Sequence, residues 1–165
     1  LLLPHFKFEV GRGQDVTKVQ DEAMTRLDSA VSEVFETMLE RSCDPLEGEV
    51  DTVEGKIVAR IQFTGAVDGE CLLYASQATA SVTAEALLGT PSEPHDPMVD
   101  DAIGELCNMI AGGWKSKLAS PDSSCTISTP AVTREGLEGY QAKFGTKFSR
   151  NYSFQGNVFG VVLAF

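Results

Sequence analysis

The sequence predicts an α/β fold of the α+β type, built as a duplicated helix-plus-strands unit. Three observations carry it. Stretches 15–42 and 97–118 place apolar residues at helical spacing. Each is followed by runs of β-forming residues bounded by turn signals. The two halves also align. Ser29-x3-Glu33-x2-Glu36-x3-Glu40 matches Asp101-x3-Glu105-x2-Asn108-x3-Gly112 at an offset of 72, with Val31, Val34 and Met38 falling on Ile103, Leu106 and Ile110. Phe63-x-Gly65-x-Val67-x-Gly69-x2-Leu72-x-Tyr74 matches Phe154-x-Gly156-x-Val158-x-Gly160-x2-Leu163-x-Phe165 at an offset of 91. The second half then holds 91 − 72 = 19 extra residues between helix and hairpin.

The elements follow in order. Residues 1–14 show no clean period and read as a tail or a short extra strand; 15–165 reads as one domain, with pseudo-repeats at about 15–89 and 90–165. The chain begins with Leu1, which fits a trimmed chain or a part of a longer protein. Asp15 caps the first helix, whose stripe is Val16, Met24, Leu27, Val31, Val34, Phe35 and Met38. Cys43-Asp44-Pro45 ends it. Residues 44–55 read as a loop or edge strand. Ile57, Ala59, Ile61 and Phe63 alternate on one face of a strand, and Glu70 to Ala75 forms a second. Gln77 to Leu88 is a short helix closed by Gly89. Asp96-Pro97 opens the second long helix, to about Leu118. Cys125–Thr133, Lys143–Gln155 and Val158–Phe165 read as strands, with loops at Arg134–Gly139 and Gly156-Asn157. The last strand is expected at an exposed edge, where it would pair with a second copy in a homodimer.

Composition excludes several functions. Against 13 Lys+Arg stand 24 Asp+Glu, a net charge of −11. That field repels phosphate backbones and anionic lipid, so no nucleic-acid or membrane partner is expected. No apolar run approaches the roughly 18 residues of a spanning helix. The four cysteines (Cys43, Cys71, Cys107, Cys125) form no CxxC pair, which speaks against zinc and for buried thiols in a reducing, cytoplasmic setting. Only His5 and His95 could serve histidine chemistry.

On the second long helix, Ile103, Leu106, Ile110, Trp114 and Lys117 share one side. Asp101, Glu105, Asn108 and Gly112 lie within roughly 60° of each other on the opposite one. A carboxylate and a carboxamide thus stand one turn apart on a solvent-facing ridge. Helical glycine costs about 1 kcal/mol against alanine, so Gly112-Gly113 serves something other than helix stability. By spacing alone, exposed Glu and Asn are more often just solvated.

The stretch Asp101-Ala-Ile-Gly-Glu-Leu-Cys-Asn-Met-Ile-Ala-Gly-Gly resembles the signature helix of the CheC/CheX family of chemotaxis phosphatases. That signature is Asp/Ser-x3-Glu-x2-Asn with a Pro roughly twenty residues on, and Pro130 lies 22 residues after Asn108. Ala30 to Met38 is similar to the opening helix of CheX-type domains. The resemblance spans about 21–165 and implies a CheC-like fold, with long helices packed on a shared, mainly antiparallel sheet. It implies a phosphatase acting on the aspartyl phosphate of a CheY-type receiver domain. Glu105 would pair with a receiver lysine, and Asn108 would orient the attacking water, with Asp101 and Gly112 at the docking surface. It needs no cofactor in this chain, since the Mg2+ sits on the receiver. The resemblance leaves open a non-catalytic adaptor of the same fold in chemotaxis or flagellar-switch signalling, and an unrelated small enzyme using His95 or a cysteine stays as a third reading. The first helix departs from the signature, with Glu36 for the amide and Glu40 for Gly112, so one working site is expected, on the second helix. Residues 21–54 carry a net −9 and 55–165 only −3. The acidic half should repel a phosphorylated receiver.

Overall fold

The computed structural model describes residues 16–47, 56–93, 95–118, 125–136 and 144–165. The 1–14 tail, the Asp15 cap and parts of the expected 44–55 and 134–139 connections lie outside them.

Helix α1 (Val16–Val34) runs into one π-helical turn, Phe35–Leu39. Glu40 closes it in the left-handed conformation (φ 52°), its N–H donating to the Phe35 carbonyl. A wide turn holds an extra residue, so positions beyond it shift around the axis. The expected stripe holds through Met24, Leu27, Val31 and Phe35, all buried, and then breaks. Met38 is 51% exposed while Leu39, at 5%, takes the inward place. The match of Met38 to Ile110 is corrected accordingly. Glu40 caps the helix and does not extend its ridge.

The strands are β1 (Asp44–Leu46), β2 (Lys56–Gly65), β3 (Gly69–Ser76), β4 (Cys125–Ile127), β5 (Ala131–Thr133), β6 (Lys147–Phe154) and β7 (Asn157–Ala164). They form one antiparallel sheet ordered β1-β6-β7-β3-β2-β4, with β5 also on β2. The expected strand 125–133 is interrupted at Ser128–Pro130. The expected edge at Val158–Phe165 is overturned, because β7 is paired on both sides, by β6 and β3. Its Phe159, Val161 and Leu163 face the core. Among the described residues the edges are β1 on one side and β4 with β5 on the other.

The register contains a local two-fold. Phe63 pairs with Gly69 in one hairpin and Phe154 with Asn157 in the other. First strands therefore correspond at an offset of 91, second strands at 157 − 69 = 88. At 88, Leu73 corresponds to Val161, and these two are themselves paired across β3 and β7, so the axis passes through them. The single offset of 91 read along the whole hairpin is thus corrected. The β6–β7 turn is three residues shorter, two residues in the left-handed region (Gln155 φ 50°, Gly156 φ 77°), as a type I′ turn requires.

Helix α2 (Gln77–Leu88) is capped by Ser76 and closed by Gly89 at φ 71°. Helix α3 (Pro97–Ser116) starts where expected, with Asp96 accepting from the Met98 N–H at 3.0 Å and Pro97 in the first turn. It stops two residues short of Leu118. One core joins all three helices to a single face of the sheet, including Ile57, Ala59, Ile61 and Phe63 of β2. Each long helix lies on the hairpin that follows the other one. Phe35 stacks on Phe159 and tilts onto Phe154, while Trp114 meets Phe63 and Phe165. Neither half can bury its apolar face alone. All four cysteines are free and buried, and burial pushes the Cys43 thiol up to about 12.

Candidate functional site

The buried side of α3 dictates what its outer side presents. Val99, Ile103, Leu106, Ile110 and Trp114 point into the core. The opposite ridge carries Asp101 and Glu105, both exposed, then Asn108 and Gly112, both half-buried. The four predicted positions share one continuous face. Among the described residues, Asp101, Glu105 and Asn108 make no side-chain hydrogen bond or ion pair.

One side of this ridge is walled by the chain from Ile127 to Arg134. A Cβ on Gly112 would sit 4.0 Å from Ile127 Cδ1. A Cβ on Gly104 would lie 3.2 Å from Val132 Cγ2 and 3.3 Å from Pro130 Cβ. The wall therefore runs antiparallel to the helix, passing Asn108 at the height of Ser128 and Thr129. Ser128 holds it to the sheet: its N–H donates to the Gln62 carbonyl (3.0 Å) and its Oγ accepts from the Gln62 N–H (2.9 Å). Pro130 thus borders the ridge. Gly112 could carry a Cβ in ordinary contact with Ile127 alone, while Gly113 is needed elsewhere, because its Cβ would meet Ala30 Cβ of α1 at 3.3 Å. The two glycines serve different ends, packing at Gly113 and an open face at Gly112.

The corresponding face of α1 differs. Ser29, Glu33 and Glu36 are exposed, but Glu33 is occupied: Lys117 Nζ donates to both its oxygens at 2.8 Å. That bond, ahead of the Coulomb attraction, holds the Glu33 carboxyl below its ordinary range. Glu36 accepts from Ser32 Oγ at 3.2 Å. Lys117 buries its stem, as the sequence suggests, yet its partner was not legible there.

Two Asp–Arg contacts tie down the helices at positions 72 apart. Asp28 accepts from Arg150 (2.9 Å) and from the Tyr152 hydroxyl (2.7 Å), and burial with that bond raises the Tyr152 phenol. Asp100 accepts from Arg134 at 2.8 Å. Arg134, Gly104 and the Lys117–Glu33 pair were missed by sequence reasoning. Among the described residues no three His, Cys, Asp or Glu side chains gather as a metal site, and no helix is long and apolar enough to cross a membrane.

The family model described as chemotaxis phosphatase CheX matches residues 57–147, more than half of the chain, and includes the whole ridge. The chain belongs to the CheX family. No curated protein sequence matches it. Among solved structures, CheX from Vibrio vulnificus is similar at 20% identity and a TM-score of 0.72, over 88% of this chain and 97% of that one. CheX from the CheX–CheY–BeF3–Mg2+ complex of Borrelia burgdorferi is similar at 20% identity and 0.71, over 86% and 96%. Thermotoga maritima FliY is similar at 17% and 0.68, over 99% and 92%. These likenesses show that this chain has the fold of those structures.

Proposed function

We propose that this CheX-family chain accelerates hydrolysis of the aspartyl phosphate on a CheY-type receiver domain. The observation that supports it most is the open, unpaired Glu105–Asn108 pair on a walled helical ridge. Phosphoryl transfer asks for positioning and charge stabilisation more than covalent help. A side-chain amide donates and accepts at once, so Asn108 can hold a water in line with the phosphorus while touching a phosphoryl oxygen. Glu105, one turn earlier and exposed, offers a carboxylate to a receiver lysine. Asp101 lies one turn further from the chemistry and extends the docking surface; Gly112 keeps its other end low. The Mg2+ that neutralises the developing charge belongs to the receiver. The complex of a CheX with CheY in Borrelia burgdorferi supports a receiver as the partner.

The test charges a receiver with a small phosphodonor, removes the excess and follows phosphate release. Asn108→Ala should abolish the acceleration while leaving complex formation intact. Equal release rates for the two proteins would overturn the reading, and receiver binding without acceleration would leave a docking module. Self-association is part of the proposal. An edge-to-edge homodimer would pair β1, or β4 with β5, and light scattering showing a monomer at high concentration would refute it.

A further inference from the structure

We propose that Arg134 is a positioning residue for the docking ridge, setting the distance between the Ile127–Thr133 wall and the first turns of α3. The inference rests on the receiver-phosphatase reading and adds a residue outside the signature. The wall is well anchored at one end, where β4 pairs with β2 and Ser128 exchanges bonds with Gln62. At its other end β5 has three residues, and its ladder stops at the Thr133–Val58 pair. Arg134 is the next residue. Its Nη2 donates to Asp100 Oδ1 at 2.8 Å and its Nε lies 3.4 Å from Asp100 Oδ2. Nη1 donates to Gln77 Oε1 at 2.5 Å and lies 3.3 Å from His95 Nδ1.

One guanidinium therefore joins the end of the wall to the start of α2, the α2–α3 connection and the first turn of α3. Its donors are fixed in a plane, so the Asp100 carboxylate on α3 and the Gln77 amide oxygen on α2 together define a single orientation, with His95 Nδ1 beside them. Asp100 immediately precedes Asp101, and Gly104 immediately precedes Glu105. Drift of the wall toward α3 would reach the ridge where those two carboxylates stand, because Val132 and Pro130 lie so close over Gly104 that an added Cβ there would sit only 3.2 and 3.3 Å from them. The Arg134–Asp100 pair is about a third exposed on both sides, which makes it a weak contributor to global stability. Its geometric role can thus be separated from folding.

The experiment compares wild type with Arg134→Gln and Arg134→Lys, as full chains, on a phosphorylated receiver. For Arg134→Gln, KM should rise about tenfold with kcat within about twofold, the pattern of lost docking without lost chemistry. Arg134→Lys should recover less than half of the loss on a logarithmic scale, because one ammonium nitrogen cannot take the three separate positions from which Nε, Nη2 and Nη1 reach Asp100 and Gln77. Affinity for a beryllofluoride-charged receiver, measured without turnover, should fall by the same factor. A KM unchanged in Arg134→Gln, or a kcat that falls in step with the fraction of folded protein, overturns the positioning role. A wild type that binds and hydrolyses, with a variant that binds equally well, sinks this inference alone. A wild type that does neither sinks the functional reading as well.

Discussion

The two long helices descend from one pattern and end up with opposite surfaces. On α3 the ridge is unpaired, runs through a regular helix and meets a wall of chain along one side. On α1 the equivalent carboxylate, Glu33, is held by Lys117 from the other helix, the amide position carries Glu36, and the helix ends in a π turn where the ridge should continue. The acidity of residues 21–54 adds to the contrast. A pair of Glu residues at helical spacing is therefore not a site by itself. What separates the two faces is whether the carboxylate is free to meet a partner and whether a neutral amide stands one turn on.

The strongest way to break the comparison is at the amide. Asn108→Ala should lower kcat on the order of 100-fold, as loss of a positioned polar group does elsewhere, whereas Glu36→Ala should change nothing in the same phosphate-release assay. Adding Glu36→Asn to the Asn108→Ala chain should not restore activity, because Glu33 stays tied to Lys117. Recovery there would show the two faces to be equivalent after all.

Next in size come the aromatic anchors. Trp114→Ala and Phe35→Ala should each cost about 3–5 kcal/mol in urea unfolding, since Phe35 packs on Phe154 and Phe159 and Trp114 on Phe63, each in the other half's hairpin. A cost for one and not the other would show that the exchange of helices is not mutual. The π turn gives a finer contrast. Leu39→Ala should cost about 2–5 kcal/mol and Met38→Ala within about 0.5 kcal/mol, the reverse of what a regular helix would give.

The smallest effect is the Lys117 contact. The folded-state Glu33 value is depressed, so the pair's contribution is present above the unfolded value and is lost as pH falls through the folded one. Lys117→Met should therefore raise the Glu33 titration midpoint seen by NMR. Any stability difference from wild type should vanish at the acid end. A midpoint that does not move would mean that Glu33 is as free as Glu105.

The legible part of this protein was local. Asp96-Pro97 and Gly89 announce helix ends through backbone chemistry alone, and both stand where expected. The alternation of Ile57, Ala59, Ile61 and Phe63 gave the inner face of β2. The ridge of Asp101, Glu105, Asn108 and Gly112 followed from the helical angle. The misses were all matters of register or of distant partners. Leu72 and Leu163 align in sequence but face opposite sides of the sheet, because the turns before them differ by three residues. Met38 and Leu39 exchange roles because one wide turn intervenes. The C-terminal strand, read as an edge, is central.

By itself the sequence determined the elements, their duplication and the chemistry of one helical face, since these depend on spacing within a few turns. Only the tertiary structure decided which strand is interior, that the helices exchange hairpins, that Lys117 meets Glu33 and that Arg134 meets Asp100 and Gln77. Those outcomes join residues tens of positions apart, and no local period encodes which of several possible partners a buried strand or a long charged side chain will meet.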